Sequence, residues 1–519
     1  MGIIRNAFTV GIFTLVSRII GFIRECIMAF TLGAGVYSDS ILVALRISNT
    51  FRRIFAEGAF NASFLPRFSK ILAKRGRDDA NVVLSDIFSV LLLLLIPFSV
   101  VVIIFFPIFL KVLVSGFDVL SEKFELTATL GRICFPYLIL ISISSLFCGV
   151  LNALNRFALP SAVYSMLSVF TISGLLAGYF LDLSHRMTVH AVAWFVLLSG
   201  VAQCCCLLAS IGRHGFRINF RFRCWTPPVK DVMKNMIPGI IGAGVWQLNL
   251  LVDTTISSYL PTGTITCVNL ADRLNQFPLG TLGIALSTAL LPLLSKFIGN
   301  GEYDKALREL ERGLLFALFL TFFSSSVLIS LAEPSVAVAF QRGAFEADQV
   351  RITAAALSGF AIGLPSYVLT KVFSSLYFAA GDTKSPVIFG LFSVVLNVIF
   401  LFILVPLGKY FGLALCTSLS ATSNATMLIY FSKEKMPIKF TNSFWRKALS
   451  QGMAALTTYY SLLKLCDLYW HADLGTKSIK WLAYLGLCAC AALIYFSSTV
   501  IFLRLTKQKQ WKLWQKDAW

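Results

Sequence analysis

The chain has 519 residues, of which 57% are hydrophobic and only 13% charged, and its mean hydropathy is +0.78. A water-soluble fold cannot cover that much apolar surface, so composition excludes a soluble enzyme or binding domain and points to a polytopic membrane protein. The formal net charge of +20 belongs first in cytoplasmic loops, and a nucleic-acid partner is not expected.

Apolar runs lie near 7–32, 38–65, 84–110, 126–153, 158–181, 188–212, 235–260, 264–295, 313–340, 350–379, 385–407, 411–432, 447–470 and 480–503. Most reach the roughly 20 residues needed to cross the hydrocarbon core. They predict an all-α integral membrane protein with about 14 transmembrane helices. The N-terminal run is too long for a cleavable signal, and it contains Arg18 and Arg24. Most of the twelve cysteines lie inside apolar runs and read as small buried hydrophobes. The four histidines are scattered, and no Cys/His spacing resembles a metal site.

Charges inside the runs carry the functional signal. The first run holds Ser17, Arg18, Arg24 and Glu25. In the second, Asp39, Arg46 and Arg53 are spaced by seven and share a helix face; Asn49 and Glu57 extend the stripe and Arg52 flanks it. The seventh run holds a lone carboxylate, Asp253, for which function is the default reading and partnership with an arginine the bland one. The eighth carries Asn269, Asp272, Arg273 and Gln276. Lys371 in the tenth reads equally as a site cation or a structural partner. Arginine cannot shed its proton, and a charge at bilayer depth costs several kcal/mol unless it meets a partner, snorkels or lines water. Internal pairs would account for some of the set: Arg24 with Glu25, Arg46 with Asp39, Arg53 with Glu57, Arg273 with Asp272. The arginines of these three runs outnumber the carboxylates, so an anion or water must meet the surplus. Phosphate or pyrophosphate suits the guanidinium fork. No Walker A sequence, metal-ligand cluster or nucleophile–base spacing suggests an enzyme, and no cofactor is expected.

Loop charge sets the orientation. Lys70, Lys74, Arg75 and Arg77 lie in one loop of the basic series and Arg213 to Lys234 in another, whereas the loops around Gly33–Tyr37 and Pro261–Thr264 are uncharged. With the basic loops inside, both termini are cytoplasmic. The chain also repeats: Phe64-Leu65-Pro66-Arg67-Phe68-Ser69-Lys70 resembles Leu290-Leu291-Pro292-Leu293-Leu294-Ser295-Lys296, and Arg156–Pro160 falls opposite Asp382–Pro386 at the same offset of 226. A six-span repeat keeps both copies in the same orientation. The expected organisation is an N-lobe over 1–226 (helices 1–6), a C-lobe over 227–446 (helices 7–12), and two added helices with a basic cytoplasmic tail over 447–519.

The stretch Ser17-Arg18-Ile19-Ile20-Gly21-Phe22-Ile23-Arg24-Glu25 resembles the opening motif of the MurJ (MviN) lipid II flippases. So do Asp39, the run from Phe51 to Phe60, Ala271-Asp272-Arg273-Leu274 and Gly381-Asp382-Thr383-Lys384-Ser385-Pro386. The likeness spans the whole chain in order. It implies the multidrug/oligosaccharidyl-lipid/polysaccharide exporter fold, a V-shaped pair of lobes, and export of the undecaprenyl-pyrophosphate-linked cell-wall precursor across the bacterial inner membrane. It also implies substrate-binding roles for Arg18, Arg24, Arg52 and Arg273, with Asp39 and Glu57 as acidic partners, and a groove shaped by helices 13 and 14 for the polyprenyl tail. Ser17, Arg53 and Asp272 join the expected substrate set as their neighbours. Some relatives have a sodium site between helices 7, 11 and 12. Asp253, Asn397 and Thr417 fit it, but Leu401 stands where a second carboxylate is expected, so weak or absent sodium dependence follows. Monovalent-cation coupling and the membrane potential both stay open as energy sources. The expected partners are the lipid-linked precursor and membrane lipids, with contacts to cell-wall synthesis proteins left open. Rival readings are a flippase for another polyprenyl-linked glycan, a multidrug/cation antiporter, whose cations a surplus of arginine would repel, a membrane scaffold, and a polyprenyl-phosphate enzyme.

Overall fold

The computed structural model describes residues 2–53, 58–222, 224–434, 439–470 and 477–505. Among them there are helices and turns and no strand. This is what a bilayer demands, because a helix satisfies its own backbone hydrogen bonds. The helices run in chain order as α1 (Gly2–Leu32), α2 (Val36–Arg52), α3 (Gly58–Ile104), α4 (Phe106–Leu113), α5 (Glu122–Cys134), α6 (Tyr137–Ala153), α7 (Ala158–Val163), α8 (Ser165–Phe180) and α9 (His185–Arg213). They continue as α10 (Pro227–Ser258), α11 (Thr264–Gly299), α12 (Tyr303–Ser330), α13 (Ala332–Phe340), α14 (Ala347–Ile362), α15 (Leu364–Ala379), α16 (Lys384–Phe431), α17 (Asn442–Tyr469) and α18 (Lys477–Leu505).

Among the described residues the expected apolar runs are mainly helical, but chain breaks redraw several of them, and 54–57 of the second run lie outside the described residues. The fourth run is split at Phe135–Pro136 and the ninth at Leu331. The tenth bends by 41° around Gly363, where Pro365 cannot donate into the preceding turn. Conversely, the eleventh and twelfth runs share α16, broken at Lys409 (φ 40°) just after Pro406 and Gly408. Seven described helices, or eight with the bent pair α14–α15 counted as one span, are long and apolar enough to cross a membrane.

By contacts the chain divides into two compact units, Met1–Thr266 with Arg342–Glu346, and Cys267–Gln341 with Ala347–Trp519. α10, which the repeat assigns to the second lobe, groups with the first unit, because Val229, Val232 and Met236 at its start enter that unit's core. The 226-residue offset reappears in the packing. The first unit's core contains Phe64, Phe68, Leu84, Leu146, Phe147 and Leu151, and the second unit's core contains their counterparts Leu290, Leu294, Leu310, Val372, Phe373 and Tyr377. It reappears in the backbone too. After α6, Asn155 has φ 58° and Arg156 N–H donates to Leu151 O at 2.8 Å; after α15, Gly381 has φ 78° and Asp382 N–H donates to Tyr377 O at 2.9 Å. Both are the six-to-one closures of a left-handed helix end.

The segment between α9 and α10 is an extended strap along α3. Arg217 N–H donates to Asn81 Oδ1 (3.2 Å), Asn219 N–H to Ser85 Oγ (3.1 Å) and Arg221 N–H to Ser89 Oγ (2.9 Å). Steps of two along an extended chain and of about four along a helix cover nearly the same distance, which keeps the two in register. Buried Asp86 closes the strap, accepting from Thr226 Oγ1 (3.0 Å) and pairing with Arg221 Nη1 (3.5 Å).

Candidate functional site

Ser17 and Arg18 on α1, with Val10 and Thr14, face α6, α7 and Tyr164 across a cavity of about 450 Å3. Asn152, Ser161 and Tyr164 add amide and hydroxyl groups to the wall, and Phe157 and Pro160 close it. Arg18 is exposed, and among the described residues it makes no hydrogen bond or ion pair. A guanidinium so placed presents its donors to whatever fills the cavity.

Arg24, one and a half turns further on, is half-buried and pairs with buried Glu25 (Nη2 to Oε1, 2.5 Å). On α2 the stripe expected from the spacing of seven forms, but its partners differ from those expected. Asp39 does not pair with Arg46. It is 1% exposed, and Lys123 Nζ (2.7 Å), Gly263 N–H (2.8 Å), Thr266 N–H (2.9 Å) and Thr266 Oγ1 (2.7 Å) all donate to its two oxygens. Asp39 thus caps the N-terminus of α11, where the helix dipole also favours a carboxylate. Lys123 is held in turn over the Phe117 ring at 4.2 Å. Arg46 instead donates from Nη1 to Thr254 Oγ1 on α10 (2.7 Å). Side-chain spacing on one helix cannot show that a carboxylate is wanted by another helix's end, and this is why the Arg46–Asp39 pairing fails.

The same end of the first unit is packed tightly. Ala344 N–H donates to Phe30 O at 2.9 Å. Gly343 (φ 58°) approaches Phe30 O so closely that a Cβ would collide with it, and a Cβ on Gly263 (φ 93°) would lie 2.7 Å from Ala34 O. Only glycine tolerates both the positive φ and the approach.

Further along α2, Arg52 Nε donates to Asn49 Oδ1 (3.0 Å), and Arg53 is exposed at the helix end. Glu57 lies outside the described residues. In the second unit, Asp272 and Arg273 are half-buried on α11; Gln276 Nε2 donates to Asp272 Oδ2, and Asn269 is buried one turn earlier. Asp253 is half-buried on α10 and groups with the first unit; Asn397, fully buried, and Thr417 are on the two arms of α16 in the second. Leu401, one turn after Asn397, is buried and contributes no ligand oxygen. Lys371 is exposed on α15, and its carbonyl accepts from Ser287 Oγ (3.0 Å) and Ser375 Oγ (3.1 Å).

In the sequence Lys123 reads as an ordinary loop charge, and nothing there marks the cavity wall of Asn152, Ser161 and Tyr164. A basic residue at the second position of α5, beside a helix that begins Thr-Ile-Thr, was the available clue.

The family model described as "Lipid II flippase MurJ" matches residues 28–512. A probable lipid II flippase MurJ of Rhizobium meliloti (strain 1021) is 33% identical over 503 residues, covering 96% of this chain and 93% of the relative. One from Rhizobium tropici is 35% identical over 429 residues, 82% of this chain and 80% of the relative. The lipid II flippase MurJ of Burkholderia cenocepacia is 32% identical, with 90% of each chain covered. Among solved structures, a lipid II flippase MurJ in an inward closed conformation superposes with a TM-score of 0.80 at 22% identity, covering 96% of this chain and 99% of that one. An inward-facing multidrug resistance transporter of the MATE family gives 0.70 at 13% identity, covering 81% and 94%.

Proposed function

This chain belongs to the lipid II flippase MurJ family, and from that premise we propose that it moves the pyrophosphate-linked head of lipid II from the cytoplasmic to the outer leaflet of the bacterial inner membrane by alternating access. The observation that carries the reading is Arg18, a permanent cation exposed on a wall of hydroxyl and amide groups and met by no described protein group. Pyrophosphate replaces there the water that a guanidinium at membrane depth needs. The multidrug transporters share the fold, but an unmatched cation in the cavity repels their cationic cargo.

By the family resemblance, substrate-binding roles are assigned as well to Arg24, Arg52 and Arg273, and to Ser17, Arg53, Glu57 and Asp272. Asp39 serves by anchoring the start of α11. The fourteen runs cross the bilayer with both termini inside, organised as repeats over 1–226 and 227–446 with 447–519 added. The polyprenyl tail stays in lipid while the head passes. A head with two negative charges moving outward gains about 4–5 kcal/mol per 100 mV, inside negative, so the membrane potential favours export without hydrolysis. Asp253, Asn397 and Thr417 match the ligand positions the family resemblance implies for a cation, and Leu401 stands where a carboxylate is expected, so we expect sodium coupling to be weak or absent.

The test is an outer-leaflet lipid II accessibility assay in cells depleted of their own flippase and carrying this chain. Lipid II reaching the outer leaflet supports the reading; its confinement to the inner leaflet, with the protein present in the membrane, contradicts it.

A further inference from the structure

The strap between α9 and α10 is unusual for a loop. Its three donations to Asn81, Ser85 and Ser89 climb eight residues of α3, about 12 Å along the helix axis. α3 passes directly from that stretch into the most apolar of the described spans. The strap therefore runs from the membrane surface towards the hydrocarbon. Backbone N–H groups at such depth must be satisfied by protein, and the side chains of Asn81, Ser85 and Ser89 satisfy them.

Its side chains divide into two sets. Phe216 and Cys224 are buried in the first unit's core, and Ile218 packs against it. Phe220, Phe222 and Trp225 are exposed, at 46%, 82% and 52%. Arg217 and Arg221 are exposed between them. Nothing in the core requires the exposed aromatics, and the strap's own sequence contains no carboxylate; its acidic contact, Asp86, is buried beneath it. Aromatic rings interleaved with guanidinium groups at the level of the headgroups suit a lipid whose headgroup is negative and whose chains begin just below.

We propose that the strap is a binding site for an anionic phospholipid of the cytoplasmic leaflet. Arg217 and Arg221 hold the headgroup phosphate, and Phe220 and Phe222 lie against the upper acyl chains. The site stands apart from the Arg18 cavity, which is lined by α1, α6, α7 and Tyr164, and it does not depend on which polyprenyl lipid is transported.

The experiment compares the full-length protein with Arg217→Gln/Phe222→Ser. Both are reconstituted in vesicles of phosphatidylcholine containing a minor fraction of phosphatidylglycerol, then extracted into detergent, and the phosphatidylglycerol retained per protein is counted by native mass spectrometry. Arg221 is left intact because it pairs with Asp86. Wild type is expected to retain phosphatidylglycerol above its share in the vesicle, and the variant to lose about five-fold in that retention for the arginine it lacks. High salt should narrow the difference. Unchanged retention in the variant, at an unchanged melting temperature, overturns the proposal. If the double variant fails to fold, Phe222→Ser alone carries the test, because the ring is exposed to 82%. A parallel arm replaces phosphatidylglycerol with undecaprenyl phosphate. Loss of that lipid alone would overturn the assignment and make the strap part of the substrate's path; retention of an acidic protein but no lipid would overturn it as well.

Discussion

Arg18 and Asp39 are both charged, both lie within expected membrane spans, and are used in opposite ways. Asp39 is buried with four donors on its two oxygens, one of them a lysine and three from the start of α11. Arg18 is exposed on a cavity wall and makes no hydrogen bond or ion pair among the described residues. The difference teaches that a charge inside a membrane does not by itself mark a binding site. Asp39, whose two oxygens the protein satisfies with four donors, is an anchor. A charge that the protein leaves to its cavity is waiting for something from outside.

The comparison breaks first at Arg18. Arg18→Ala should abolish complementation while the protein accumulates normally, because the proposed role of the lost group is to hold the ligand and no described hydrogen bond or ion pair ties it to the fold. Arg18→Lys should rescue only part, since lysine keeps the charge but not the planar fork. Immunoblots beside complementation counts separate the two, and an Arg18→Ala protein that complements fully would make Arg18 another bystander.

Asp39 should behave in the reverse way. Asp39→Ala strips the partner from Lys123, which is 12% exposed, and uncaps α11. Breaking a buried pair on one side costs about 3–5 kcal/mol. The loss should appear as a lower thermal midpoint and a lower membrane level, and adding Lys123→Met should recover part of it, because no unpaired charge remains. If Asp39→Ala is as stable as wild type but inactive, Asp39 belongs with the substrate site instead.

A smaller effect tests the packing around the same anchor. Gly263→Ala forces a side chain into a positive-φ position beside Ala34 O, at a cost of about 1–3 kcal/mol. Gly244→Ala, where a Cβ meets open space, should cost far less. Equal midpoints for the two would show that the close approach at Gly263 is not required.

The smallest expected effect concerns sodium. With Leu401 in place of a carboxylate, transport should change little when sodium replaces potassium at constant ionic strength and membrane potential. A steep sodium dependence would show that Asp253, Asn397 and Thr417 suffice.

Much of this was legible in the sequence. The described parts of the apolar runs are mainly helical, and the offset of 226 read from two short motifs recurs in matched core positions and matched helix ends. Local chemistry carries such features, so local reading finds them. The pairing of Arg24 with Glu25 was legible for the same reason. The partner of Asp39 was not: Lys123 is 84 residues away and Thr266 is 227 away, and only the fold brings them together. The strap was equally hidden. Asn81, Ser85 and Ser89 look like unremarkable polar residues on a helix until an extended chain is laid against them.

The most direct test of the central claim is the amount of lipid II exposed on the outer leaflet of flippase-depleted cells carrying wild type, Arg18→Ala or Asp39→Ala/Lys123→Met, normalised to protein in the membrane. The account predicts that Arg18→Ala exports essentially nothing at a normal protein level, while the double variant exports in proportion to the protein that survives. Wild-type export per molecule from Arg18→Ala would contradict it.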